Sequence, residues 1–208
     1  MLGIIDYGLG NIGAIAHMLG RLGLPYLFAD DEESISNSSG LILPGVGAFD
    51  EGISRLRACG LDYALSRAVL DRGVPILGIC LGLQLMTSRS EEGRENGLGW
   101  LDASTVRLSI PQLSSDFRVP HMGWNTVDVR DRSSLFLNAA PEPRFYFAHS
   151  YYVAARNQQD VLATTRHGAE FPVALAKGNI FGVQFHPEKS HAHGSRLLRA
   201  FGRIAGHE

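Results

Sequence analysis

The sequence predicts an α/β fold: an open, mostly parallel central sheet with flanking helices and an antiparallel extension. Three observations predict it. The first half alternates short apolar runs with stretches of helical spacing, and those runs lack the in–out polarity of a half-exposed strand, as expected of parallel strands covered on both faces. In the second half most apolar runs are separated by turn-like stretches, which suits antiparallel or mixed pairing. The fourth apolar run ends in Gly78-Ile79-Cys80-Leu81-Gly82, the pattern of a strand that bends sharply into a helix.

Taken in order, residues 2–6 read as a buried strand and 8–11 as a turn. Residues 12–22 carry helical spacing through Ile12, Ile15, Met18, Leu19 and Leu22. Strands follow at 26–29 and 41–43, the latter ending at Pro44-Gly45-Val46-Gly47. Helical stretches at 49–57 and 61–71 precede a strand at 74–79, and 81–86 reads as the next helix. Later strands are predicted near 105–108, 126–129, 145–148, 151–154, 161–165, 173–176 and 180–184. A final helix near 194–204 gathers Leu197, Leu198, Phe201 and Ile204 on one face and Arg196, Arg199 and Arg203 on the other. The first face docks on the core, and the arginine stripe reads as solvated. With no internal repeat and no credible linker, residues 1–208 are expected to form a single domain.

Composition narrows the function classes. The 208 residues are 45% hydrophobic and 19% charged, with net charge −2. No dense basic patch is visible, so nucleic acid is not an expected partner. Two cysteines, Cys59 and Cys80, do not make a disulfide framework, and Cys59 reads as a packed thiol near a helix end. A basic leader is not expected, because Asp6 interrupts the first apolar run. No run approaches the length of a membrane span. The expected compartment is a reducing cytoplasm.

Cys80 is the first candidate for chemistry. Flanking glycines suit a bend that leaves no room for Cβ atoms. A position at a helix N-terminus favours thiolate, the nucleophilic form. A buried structural cysteine is the plain alternative. Near the other end of the chain stands Gln184-Phe185-His186-Pro187-Glu188, directly after a predicted strand. A thiolate attacking a carbonyl carbon needs a proton-handling base, a group that orients that base, and N–H donors for the oxyanion. If strand 180–184 runs parallel to strand 74–79, both loops leave at one carboxyl edge, where open α/β sheets form their crevices. Cys80, His186 and Glu188 then make a triad. The backbone N–H of Leu81 and the loop carrying Val46 and Gly47 are the candidate oxyanion donors. Read alone, that loop is an ordinary strand-to-helix turn, and 120–125 is a loop whose Met122 and Trp124 are core residues or an exposed apolar contact.

The two motifs, Gly78-Ile79-Cys80-Leu81-Gly82-Leu83-Gln84 and Phe185-His186-Pro187-Glu188, resemble those of the class I, triad-type glutamine amidotransferases, and the resemblance covers the whole chain. It implies a flavodoxin-like glutaminase fold. It also implies Cys80 as nucleophile, His186 as acid and base, and Glu188 as the orienter of His186. Gln84 and Glu92 match positions that hold the substrate glutamine, while Ser150 and Tyr151 match backbone contacts to its α-carboxylate. A second set of motifs, Asp6-Tyr7-Gly8-Leu9-Gly10-Asn11, Pro44-Gly45-Val46-Gly47-Ala48-Phe49, Pro120-His121-Met122-Gly123-Trp124-Asn125 and His186-Pro187-Glu188-Lys189-Ser190, is similar to the glutaminase subunits of imidazole glycerol phosphate synthases. That likeness implies a heterodimer with a cyclase subunit, with Asn11, Pro120, Met122, Trp124, Asn125, Tyr146 and Lys189 at the interface, and a place in histidine biosynthesis. No cofactor is implied. A metal site at His186, His191 and His193 is set aside, since His186 is committed to Glu188. His191 departs from the glutamine expected after Ser190 in many relatives. The alternatives are the glutaminase of another synthase, such as pyridoxal phosphate synthase, or a non-catalytic regulatory subunit. The first lacks support from the 120–125 run, and an intact Cys80, His186 and Glu188 speaks against the second.

Overall fold

The computed structural model describes residues 1–109, 117–132 and 134–207. The chain runs β1 (Leu2–Ile5), α1 (Ile12–Arg21), β2 (Tyr26–Ala29), α2 (Glu32–Ser36), β3 (Gly40–Gly45), α3 (Phe49–Ala58), α4 (Leu61–Ser66), β4 (Ile76–Cys80), α5 (Leu81–Leu85) and β5 (Ala103–Arg107). It continues through β6 (His121–Thr126), β7 (Asp128–Val129), β8 (Arg144–His149), β9 (Tyr151–Ala155), β10 (Val161–His167), β11 (Ala169–Lys177), β12 (Ile180–Val183) and α6 (His191–Ile204).

The central sheet has eight strands in the order β2-β1-β3-β4-β12-β11-β10-β7. Every pairing from β2 to β12 is parallel, and every pairing from β12 to β7 is antiparallel. The alternating first half therefore makes the parallel part, as its unbroken apolar strands require. Successive residues of one strand reach opposite faces. Ile42, Leu77 and Ile79 join α1 and α6 in one core, while Leu41, Leu43 and Ile76 join α3, α4 and α5 in the other. Helix α6 buries Leu197, Leu198 and Phe201, with Ile204 at the margin of the same core.

Several expectations need correction. Residues 121–126 are a strand, not a loop: β6 pairs antiparallel with β8, His121 opposite His149 and Thr126 opposite Arg144. Proline, glycine and asparagine hide that strand locally, and a distant partner makes it. The strands predicted at 105–108, 145–148 and 151–154 do not extend the central sheet but form two two-stranded sheets, β5-β9 and β6-β8. The stretch 61–71 is helical throughout, as predicted, and differs only in that α4 passes after Ser66 into a wider π-helix over Arg67–Asp71, where the Arg72 N–H donates to the Arg67 carbonyl at 3.2 Å. Helix α6 starts at His191, three residues before the predicted Gly194. Cys59 is exposed, because α3 ends at Ala58 and the chain swings away at Gly60, whose φ is +69°. Helix α2 was not predicted. Asp31 caps it by accepting the Ser34 N–H at 2.8 Å, while the Ser34 hydroxyl oxygen accepts the Asp31 N–H at 3.3 Å.

Candidate active site

Strands β3, β4 and β12 end on one edge of the sheet. Gly45 pairs with Cys80 and Val183 with Ile79, so the 44–47 loop, the Cys80 bend and the 184–188 segment leave side by side. The first turn of α5 packs close against β3. A Cβ on Gly45 would lie 2.7 Å from the Leu81 Cβ and 2.8 Å from the Gly82 nitrogen, and a Cβ on Gly82 would overlap the Leu43 carbonyl oxygen. Glycine at these two positions lets the bend sit against the sheet.

Cys80 holds that bend at φ 55°, ψ −110°. Such a conformation costs a non-glycine residue about 1–3 kcal/mol and persists only where the surroundings impose it. The side chain is nearly buried, at 7% exposure, and opens into a cleft of about 340 Å3 shared with Val46, Gly47, Leu81, Gln84 and His186. Glu92, Ser150, Tyr151, Pro120, Met122 and Lys189 reach the same cleft.

His186 is fixed from three sides. Its N–H donates to the Tyr146 carbonyl at 2.9 Å, the Ser190 hydroxyl donates to its carbonyl at 2.6 Å, and its Nδ1 meets Glu188 Oε1 at 2.8 Å. A carboxylate only accepts, so Nδ1 carries the proton and Nε2 is left for chemistry. The Glu188 side chain is 1% exposed, and its Oε2 has no hydrogen-bond partner. Burial pulls the His186 imidazole down, but hydrogen bonding and charge from Cys80 and Glu188 outweigh it and push its pKa up to about 10. At neutral pH the ring is an imidazolium beside the Cys80 sulfur, able to give a proton to a leaving group.

Two neighbours were missed by sequence reasoning. Gln184, fully buried at the end of β12, reaches the Cys80 sulfur with Nε2 at 3.7 Å and accepts from Gln84 Nε2 at 3.1 Å. Its signal was a polar residue closing an apolar strand. Tyr7 donates its hydroxyl to the Pro44 carbonyl at 2.7 Å, bracing the 44–47 loop. Burial, together with Cys80 nearby, raises its phenol above the ordinary range, so it remains a donor.

The substrate candidates differ in kind. Gln84 donates to the Tyr151 carbonyl at 2.9 Å, and Glu92 accepts the Phe49 N–H at 2.9 Å at the start of α3. Ser150 and Tyr151 line the cleft through the β8–β9 turn. Of the interface candidates, Met122 and Trp124 are exposed, at 65% and 41%. Trp124 stacks on His191 with centroids 5.5 Å apart. Tyr146 lies under the Lys189 ammonium at 5.7 Å. Asn11 precedes α1 and is exposed. Asn125 points the other way, its amide nitrogen 3.2 Å from His121 Nε2 and 3.0 Å from the Arg166 carbonyl. Among the described residues no group of three or more His, Cys, Asp or Glu side chains could hold a metal ion, and no helix is long and apolar enough to cross a membrane.

This arrangement of a strained cysteine, an oriented histidine and a buried carboxylate meets a direct comparison with known proteins. The pattern described as glutamine amidotransferase class-I matches residues 3–204. Imidazole glycerol phosphate synthase subunit HisH 2 of Methanococcus maripaludis is 47% identical over 201 residues, covering 97% of this chain and 98% of that one. The chain belongs to the class-I glutamine amidotransferases, within them to the HisH family. The HisH 2 subunit of Pseudomonas aeruginosa is 44% identical over 201 residues, at 97% and 98% coverage. A solved crystal structure of a glutamine amidotransferase superposes with TM-score 0.76 at 22% identity, covering 99% of this chain and 98% of the other, a likeness of fold. The open, mostly parallel sheet is thus the sheet of this family.

Proposed function

We propose that this chain hydrolyses glutamine to glutamate and ammonia and passes the ammonia to the cyclase subunit of an imidazole glycerol phosphate synthase, in the cytoplasm, as one domain. The observation that carries the reading is Cys80, held on a strained bend, opening into one cleft with a His186 whose far nitrogen is bound to buried Glu188.

Cys80 Sγ attacks the side-chain amide carbon of glutamine. The oxyanion forms toward the Leu81 N–H and the peptide between Val46 and Gly47. The C–N bond breaks as His186 gives its proton to the departing ammonia, leaving a glutamyl thioester. Water then attacks that carbon while His186 takes a proton, the C–S bond breaks, and glutamate leaves with Cys80 restored. Gln84, Glu92, Ser150 and Tyr151 hold the rest of the substrate.

Ammonia in neutral water is mostly ammonium and not nucleophilic, so synthesis needs a dry route into the acceptor's site. Pro120, Met122 and Lys189 rim the same cleft as Cys80, and the exposed Met122 and Trp124 offer an apolar seat beside it. Asn11, Tyr146 and Lys189 complete the partner face. The 44–47 loop is the switch: Gly47 sits at φ +110°, and a peptide flip there aims an N–H at the oxyanion only in the stimulated assembly. One such donor is worth about 10²–10³ in rate.

Glutamate release by the chain alone, and with the cyclase subunit and its nucleotide ligand, tests the reading. Slow release alone and strong stimulation in the assembly are expected. Full turnover without any partner ends the gating role, and no glutamate release under either condition ends the glutaminase reading.

A further inference from the structure

Next to the Ser150–Tyr151 backbone lies a buried pair of histidines, His149 lining the cleft and His121 packed against it, that the reaction above does not use. The register sets His121 of β6 opposite His149 of β8, and the two are 3% and 6% exposed. His149 Nδ1 lies 2.9 Å from the Tyr151 carbonyl oxygen, and its Nε2 lies 3.0 Å from His121 Nδ1. His121 Nε2 in turn lies 3.2 Å from Asn125 Nδ2.

The direction of every bond in this chain is forced. A carbonyl can only accept, so His149 Nδ1 carries a proton. With His149 neutral, its Nε2 accepts, and His121 Nδ1 must donate. With His121 neutral, its Nε2 accepts from Asn125, whose other amide hydrogen goes to the Arg166 carbonyl at 3.0 Å. Both rings are held neutral: burial, then the neighbouring His149 and His167, lowers His121 to about 3, and burial lowers His149 to about 4 despite its bond to Tyr151. The Tyr151 carbonyl also accepts from Gln84, which donates to Gln184, which reaches the Cys80 sulfur. One line of donors and acceptors thus links β6 to the nucleophile. The other face of the same strand carries the exposed Met122 and Trp124, because side chains alternate along it.

We propose that His121 and His149 are positioning residues, a relay through which the placement of strand β6 sets the Tyr151 carbonyl and the glutamine-holding backbone beside it. This rests on the glutaminase reading of the cleft. A partner seated on Met122 and Trp124 then reaches the substrate through His121, without touching it.

Steady-state glutaminase kinetics of the chain assembled with the cyclase subunit and its nucleotide ligand test the relay. His121→Phe keeps the stack on Phe147, at 4.5 Å between centroids, and removes both ring hydrogen bonds. Its KM for glutamine rises about tenfold, while kcat changes less than about threefold. His121→Asn puts an amide nitrogen where Nδ1 was and returns KM to within about threefold of the parent. A purely structural role lowers the active fraction, and with it kcat, and leaves KM in place. That pattern, or a parental KM in His121→Phe, overturns the relay. Imidazole nitrogen NMR of the parent protein judges it independently of any variant. At pH 7 both rings are expected neutral with the proton on Nδ1, and an Nε2–H on His149 overturns the proposal. A parental assembly that releases no glutamate refutes the site reading instead, with the tautomers still deciding the relay's geometry.

Discussion

The parallel edge and the antiparallel side of this molecule supply the same cleft by different means. At the parallel edge, β3, β4 and β12 are buried on both faces, and their register aims the 44–47 loop, Cys80 and His186 at one point. The surroundings are stiff enough to hold a cysteine at φ 55° and to bury Glu188. On the other side, β8 alternates buried and accessible residues and β6 alternates less and more exposed ones, so one strand carries His121 inward and Met122 and Trp124 outward. The difference teaches that strands with no free face fix reactive geometry, while a strand with two unlike faces can join the interior to the surface, as the proposed partner seat at Met122 and Trp124 requires. The two histidine environments follow suit. His186 is pushed up by Cys80 and Glu188, and His121 and His149 are pushed down by burial.

The comparison can be broken at its strongest point first. Replacing Cys80 by Ala or Ser removes the proposed nucleophile and should lower glutamine turnover by at least about 10⁴-fold, near the limit seen for catalytic nucleophiles. Partner binding should persist in a pull-down with the cyclase subunit, and undiminished hydrolysis would remove the parallel edge from the chemistry. Glu188→Gln keeps the shape but ends the carboxylate's hold on His186. A fall in kcat of about 10²-fold is expected, with a pH–rate profile shifted toward lower pH as His186 loses a stabilising charge. On the recognition side, Trp124→Ala should weaken association with the cyclase subunit about 10–100-fold in titration calorimetry and leave the thermal midpoint of the isolated chain within a few degrees. A larger loss of stability would make Trp124 a structural residue.

The smallest effect separates the two regions by pH. A histidine whose folded pKa lies below its unfolded value stabilises the protein above the unfolded pKa and loses that contribution as pH falls. With a native value of about 4, His149 should contribute about 2 kcal/mol less stability at pH 5 than at pH 7. For His186 the sign is opposite: its contribution is complete below the ordinary histidine range and fades as pH climbs toward about 10. Urea denaturation across pH should therefore show an acid limb that His121→Phe flattens and an alkaline limb that Glu188→Gln flattens. One limb responding to both variants would dissolve the distinction.

Much of the parallel half was legible because its signals are local. The unbroken apolar runs, Gly78 and Gly82 around Cys80, and His186-Pro187-Glu188 after β12 are all contiguous stretches. Strand β6 was not legible, since Pro120, Gly123 and Asn125 weaken any local strand pattern and only β8 completes it. Gln184 and Tyr7 sat in plain view, but nothing in their neighbours reveals which sulfur or carbonyl they meet. Cys59 went astray because the end of α3, set by the turn at Gly60, decides whether the thiol faces core or water.

By itself the sequence determined which segments of the parallel half become strands, where the chain must bend there, and which residue types stand ready at each bend, because backbone preference and apolar periodicity act over a few residues. The tertiary structure alone decided which of those bends meet. Insertion of β12 beside β4 brings His186 to Cys80, and the β6–β8 register sets His121 against His149. Both are pairings between segments far apart in the chain. Their register is chosen by how whole faces bury against the core, and no local window of residues carries that information.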